Sequence, residues 1–164
     1  MWDTSSRCNG RWYLIVKKER HCLIIGNSRW HWAVEQKDKW TFYHTSPQEQ
    51  LNILPKSLSA WAAVGRLPQN YALDPQKQIS LKDIPLCSLP EWLGVDRALA
   101  GWGALQKAKS LGLESQDLLI ADAGTVFSLT KIKSNGEFAG GQLVPGLNLQ
   151  LSSMETGTKN LHNP

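Results

Sequence analysis

The chain has 164 residues, enough for one comfortable domain or two small ones sharing an interface. Hydrophobic residues make up 41% and charged residues 20%, a globular balance from which a core can be built. The net charge of +4 is scattered, dense only at Lys17, Lys18 and Arg20, with no basic helix face and no aromatic–basic interleaving. That argues against nucleic acid as a partner and for a mildly basic enzyme that binds polyphosphate.

Cys8, Cys22 and Cys87 are odd in number and far apart, which argues against a disulfide framework or a zinc site. Apolar runs such as Cys22–Ile25 are too short to span a bilayer, and residues 1–20 lack a secretory pattern. The expectation is a cytoplasmic protein without a membrane partner. The eight tryptophans read as packing residues.

In chain order, residues 1–20 are an N-terminal extension, either an extra strand around Trp12–Val16 or a tail. Cys22–Ile25 is a short apolar strand that ends at the turn signal Gly26-Asn27-Ser28. Arg29–Val34 alternates with period two, placing Trp30, Trp32 and Val34 on one face, and Trp40–His44 reads as a third strand of an antiparallel meander. Ser46-Pro47 starts a helix that ends near Pro55. Ala60–Val64 fits a buried strand or a helical turn, and the proline-rich residues 65–90 read as loops with one short strand near Gln78–Leu81. Glu91 to about Leu111 is expected to be helical, with Leu93, Ala100, Leu105 and Ala108 on its inner side and Gly101 and Gly103 weakening it. The opening pattern then returns. Leu118–Ala121 is a strand, Asp122-Ala123-Gly124-Thr125 a turn and Val126–Lys133 a strand. Asn135-Gly136 signals a hairpin, Phe138–Val144 a third strand, and Pro145-Gly146 opens a helix over Leu147–Met154.

A strand that runs through such a Gly turn into the next strand exposes N–H groups and a hydroxyl that can donate to phosphate oxygens. An Asp at the end of the first strand can serve a cation, which wants oxygen ligands. Asp122 fills that place in the second turn, and Ile24 occupies it in the first. Each turn alone reads as an ordinary hairpin; the duplication favours a phosphate site. In Gly94-Val95-Asp96-Arg97, Asp96 can accept a proton and Arg97 can grip a carboxylate. The plain alternative is a first-turn Asp favoured by the helix dipole beside a solvated Arg. Gly140-Gly141 through Pro145-Gly146 can let backbone approach a ligand at a strand-to-helix junction.

The order Ile25-Gly26-Asn27-Ser28, Leu93-Gly94-Val95-Asp96-Arg97, Asp122-Ala123-Gly124-Thr125, Gly140-Gly141 to Pro145-Gly146 resembles type III pantothenate kinases from about His21 to Leu161. The resemblance implies an α/β fold with mixed sheets. It implies two RNase H-like halves of the actin-like ATPase type, residues 21–111 carrying the substrate helix and residues 112–164 forming an incomplete second half. It implies ATP-dependent phosphorylation of pantothenate, the first step of coenzyme A synthesis, with Mg2+, a monovalent cation (K+ or NH4+) and a homodimer. By the same resemblance Gly26, Asn27, Ser28, Arg29 and Thr125 contact ATP. Gly94, Val95, Asp96 and Arg97 bind pantothenate, with Asp96 as general base, and Asp122 holds the monovalent cation. Thr158, in a degraded form of the family's Thr-Ala-x-Leu-Pro pattern, touches pantothenate.

Three departures stand out. Ile24 replaces the Asp of the family's Asp-x-Gly-Asn-Thr turn, Val126 stands where Ala is usual, and the chain ends where the family continues toward the adenosine pocket. A truncated or degenerate member is therefore expected, either a kinase or a relative that binds nucleotide or a partner subunit without turnover.

Overall fold

The computed structural model describes residues 19–47, 58–67 and 72–158. The segment around Trp12–Val16 and nearly all of the helix expected from Ser46-Pro47 to Pro55 lie outside them.

The first three strands are β1 (Arg20–Ile25), β2 (Trp30–Gln36) and β3 (Lys39–Thr45). They form the expected antiparallel meander, with Ile25 opposite Trp30 and Gln36 opposite Lys39. The second pairing leaves a two-residue loop, in which Lys37 and Asp38 both take positive φ (49° and 63°), the geometry that matches strand twist in a tight hairpin. Trp30, Trp32 and Val34 are buried, as their alternation requires. With Leu23, Ile25, Leu58 and Trp61 the two tryptophans make one core cluster. Buried indoles need a partner for N–H: Trp32 Nε1 donates to Thr45 Oγ1 at 3.1 Å and Trp61 Nε1 to the Asp74 carbonyl at 2.8 Å.

Ala60–Ala63 is a strand, β4, parallel to β1, so the sheet order is β3-β2-β1-β4. The short strand expected near Gln78–Leu81 is reduced to one bridge between Trp61 and Gln78, followed by a 3-10 turn at Leu81–Asp83.

Helix α1 runs over Val95–Ser110, with Gly94 as its N-cap, Asp96 in the first turn, and Lys107 and Lys109 in the last, charges that complement its dipole. Its buried side is Val95, Ala98, Gly101, Leu105 and Ala108, whereas Ala100 faces solvent. The expected inner face is thus corrected by one residue. Gly101 sits on it because a Cβ there would stand only 3.1 Å from an Ile132 side-chain carbon. A glycine that weakens the helix locally lets it pack closely.

The second sheet is antiparallel, order β5-β6-β7: β5 (Leu118–Ala123), β6 (Val126–Ile132) and β7 (Phe138–Pro145). The Asn135-Gly136 hairpin forms as expected, with Gly136 at φ 86° and its N–H donating to the Lys133 carbonyl at 2.9 Å. Gly140-Gly141 lies inside β7, not at its end. The register shifts between Thr130 and Ile132, and Gly140 takes φ 104° at the resulting irregularity. Helix α2 (Leu147–Gly157) follows, capped by Gly146. One core cluster ties both sheets to α1, through Ala62 on β4, Val95, Ala98 and Leu105 on the helix, and Ile132 on β6. No helix among the described residues is long and apolar enough to cross a membrane.

Candidate functional site

In both Gly turns the glycine N–H bonds a carbonyl across the turn, although the second turn is one residue shorter. The Gly26 N–H donates to the Arg29 carbonyl at 3.0 Å, and the Gly124 N–H donates to the Val126 carbonyl at 3.2 Å. Each is then approached by a second glycine. A Cβ on Gly65 would overlap the Gly26 carbonyl, and a Cβ on Gly146 would overlap the Gly124 carbonyl. Gly65 N–H donates to the Ile25 carbonyl at 3.1 Å, and Gly146 N–H to the Thr125 carbonyl at 3.0 Å. Gly65 escaped sequence reasoning. Its signal was a glycine two positions after an alanine-rich strand, a mark of close backbone approach.

The turns also meet. Ser28 Oγ and Thr125 Oγ1 lie 2.6 Å apart, although 97 positions separate them in the chain. Both residues are exposed, as are Asn27 and Arg29, so the joined hydroxyls face solvent. A cavity of about 290 Å³ lies beside the second turn, lined by Gly124, Phe127, Pro145 and Gly146.

At the start of α1, Asp96 Oδ1 accepts the Arg97 backbone N–H at 2.8 Å. Gly94 makes this possible, since a Cβ there would collide with the same carboxylate oxygen. Val95 is buried and anchors the helix start in the core, while Asp96 and Arg97 are half-buried. The Arg97 guanidinium reaches across to β6, where Nε donates to Thr130 Oγ1 at 3.0 Å and Nη2 to the Leu129 carbonyl at 2.9 Å. A cavity of about 380 Å³ opens beside the helix start, bounded by Val64, Ser80, Leu93, Gly94 and Val95. That volume is within the range of small-molecule sites.

Asp122 is exposed on β5 and its carboxylate makes no hydrogen bond or ion pair among the described residues. Ile24 offers no carboxylate. Among the described residues no group of three or more His, Cys, Asp or Glu is placed to hold a metal. The second turn thus presents one carboxylate, Asp122, and the first turn presents none. Thr158 closes α2, its hydroxyl donating to the Met154 carbonyl at 2.8 Å. Eleven helical residues, about 16 Å at 1.5 Å per residue, separate it from Gly146. Among the described residues no hydrogen bond joins Thr158 to Gly94, Asp96 or Arg97. Cys22 and Cys87 are free thiols, and burial pushes the Cys22 thiol above its ordinary pKa.

A family model described as type III pantothenate kinase matches residues 75–163. Among curated relatives, the type III pantothenate kinase of Thermosynechococcus vestitus is 36% identical over 138 residues, covering 80% of this chain and 52% of its own length. That of Synechococcus elongatus is 32% identical over 157 residues, covering 85% and 61%, and that of Synechocystis is 31% identical over 138 residues, covering 80% and 51%. The chain thus spans about half the length of the curated relatives it matches. With its glycine turns, its Gly-Val-Asp-Arg helix start and these matches, the chain belongs to the type III pantothenate kinase family.

Proposed function

We propose that the chain carries the phosphate-binding and acceptor-binding parts of an ATP-dependent pantothenate kinase, within the actin-like ATPase fold that the family implies. The observation that carries this reading is the Ser28–Thr125 contact, which joins two turns of matching chemistry from different sheets into one site. Backbone N–H groups and hydroxyls of Asn27, Ser28, Arg29 and Thr125 donate to the phosphate oxygens of ATP, and Gly26 contacts ATP by letting the backbone approach it closely. Pantothenate lies at the α1 start, in contact with Gly94 and Val95, with Arg97 on its carboxylate. Asp96 takes the proton from the primary hydroxyl as that oxygen attacks the γ-phosphorus. In such transfers the protein positions the groups and neutralises charge. Asp122 would hold a monovalent cation, K+ or NH4+, which would supply part of that neutralisation, as Mg2+ would.

The halves are divided at about residue 111 and built on an RNase H-like plan. A homodimer belongs to the same reading, supported by the exposed Leu147, Leu149 and Met154 on α2. So do a cytoplasmic setting and the pantothenate contact of Thr158.

A coupled assay of ATP consumption with pantothenate tests the proposal. Asp96→Ala is expected to lower kcat by about 10²–10⁴-fold, the usual weight of a general base. Unchanged turnover removes Asp96 from that role. The second reading, a relative that binds nucleotide or a partner without turnover, is favoured by Ile24 in place of a carboxylate. Nucleotide binding by the wild-type chain with no pantothenate-dependent consumption selects it.

A further inference from the structure

Arg97 is a cation whose partners are all neutral. Its guanidinium donates to one hydroxyl and one carbonyl on β6, and no ion pair of Arg97 occurs among the described residues. An arginine has five N–H donors in a planar fork, so three remain when Nε and one Nη2 hydrogen are used. The two used donors fix the plane. Thr130 is 2% exposed, so its hydroxyl is held in the packed interior. Opposite it on β7 stands Gly141, paired with Thr130 in the sheet. A Cβ on Gly141 would overlap the Leu129 carbonyl and stand 2.7 Å from Arg97 Nη2. The cradle thus has a floor (Thr130 Oγ1 and the Leu129 carbonyl) and a wall that only glycine leaves open. The N-terminal end of the α1 dipole adds positive potential at the same place.

We propose that Thr130 and Gly141 are positioning residues for Arg97, locking its guanidinium edge-on to β6 so that the remaining N–H groups face an acceptor carboxylate. The role rests on the reading that Arg97 grips pantothenate. The neutral cradle orients Arg97 without spending its charge, whereas a carboxylate partner there would compete with the substrate's own. Removing the Thr130 hydroxyl leaves a half-buried charged N–H unpaired and only the Nη2 bond to the Leu129 carbonyl to hold the fork.

The full chain is compared with Thr130→Val, Thr130→Ser and Gly141→Ala, in two measurements. The first is the ¹H–¹⁵N signal of Arg97 Nε without ligand, assigned by its loss in Arg97→Lys. The second is calorimetric titration with pantothenate. Thr130→Val is expected to lose exchange protection at Nε and to weaken pantothenate binding on the order of tenfold, the weight of a hydrogen bond to a charged group. Thr130→Ser restores both, and Gly141→Ala broadens the Nε signal. A merely structural role for Thr130 would lower the melting temperature without moving Nε exchange. Equal Nε protection in Thr130→Val and wild type overturns the cradle, as does equal pantothenate affinity when Arg97→Lys weakens binding. A wild-type chain with a protected Nε that takes up no pantothenate overturns the substrate reading, and the positioning role with it.

Discussion

The two glycine turns solve one backbone problem with two different neighbours. In the first, the glycine that closes on the turn, Gly65, follows β4, which pairs parallel to β1 after a long crossover. In the second, Gly146 follows β7, the third strand of a plain antiparallel meander. The sheet topologies differ at this point, yet each turn carbonyl meets a backbone that lacks a Cβ. The two turns also diverge in charge: the second keeps Asp122 at the end of its first strand, and the first has Ile24. Close approach of backbone is a requirement of the turn's shape and is met twice. The carboxylate is a requirement of chemistry and is met once.

The largest expected effect tests the shared part. Gly65→Ala and Gly146→Ala each force a methyl onto a backbone carbonyl, which cannot rotate away as a side chain could. Each is expected to destabilise the chain by about 1–3 kcal/mol, as overpacking does, measured by urea denaturation. Gly103→Ala is the control, since a Cβ there meets nothing within 4 Å and a helix interior gains roughly 0.5–1 kcal/mol from the exchange. If one of the two turn variants proves as harmless as this control, the backbone equivalence of the turns fails.

The next effect tests the part that differs. Ile24→Asp would give the first turn the carboxylate that the second has, and Asp122→Ala would remove it from the second. On the proposed reading Ile24→Asp gains a Mg2+-dependent increase in ATP affinity, and Asp122→Ala loses the K+-dependent part, each on the order of tenfold. Calorimetric titration with and without each cation reads both. Identical cation responses in the two variants would mean that the turns do not divide the cations between them.

The same contrast explains what the sequence made legible. The meander was readable because Trp30, Trp32 and Val34 alternate over a half-buried surface, and both turns because glycine beside Asn or Thr punctuates an apolar run. The choice between strand and helical turn at residues 60–64 was not readable. It is decided by pairing with β1, about forty positions away. The inner face of α1 was misread at Ala100 because glycine carries no hydrophobic signal, and Gly101, where an added Cβ would press on Ile132, is what lies on that face. Thr130 acts through the packing of α1 on β6 and Gly65 through the pairing of β4 with β1, approaches that exist only in the folded chain. Local pattern marked the residues proposed to donate to ligands, and the fold supplied the neighbours that pack against them.

The smallest effect separates the two regions by how they hold a surface carboxylate. Before α1, the Asp83 carboxyl is held below its ordinary range by the Ser80 hydroxyl and then the Ser80 N–H, both neutral donors, at 2.6 and 2.8 Å. In the β6–β7 hairpin, the Glu137 carboxyl is also held low, by the hydrogen bond and then the charge of Lys133, whose Nζ lies 3.0 Å away. A lowered folded pKa means that each group contributes stability above its unfolded pKa and loses it as pH falls through the folded value. The window is therefore the acid side of the ordinary carboxylate range, and both contributions are small because Asp83 is exposed and Glu137 keeps about a third of its side chain in solvent, 35%. Salt distinguishes them. Raising ionic strength from about 0.1 to 1 M shortens the Debye length from about 10 to 3 Å, which screens the lysine's charge and leaves a neutral hydroxyl donor unaffected. Carboxyl ¹³C titrations at the two ionic strengths should move the Glu137 midpoint back toward its ordinary value and leave Asp83 nearly fixed. Equal movement would show that Lys133 acts on Glu137 through its hydrogen bond alone, as Ser80 acts on Asp83.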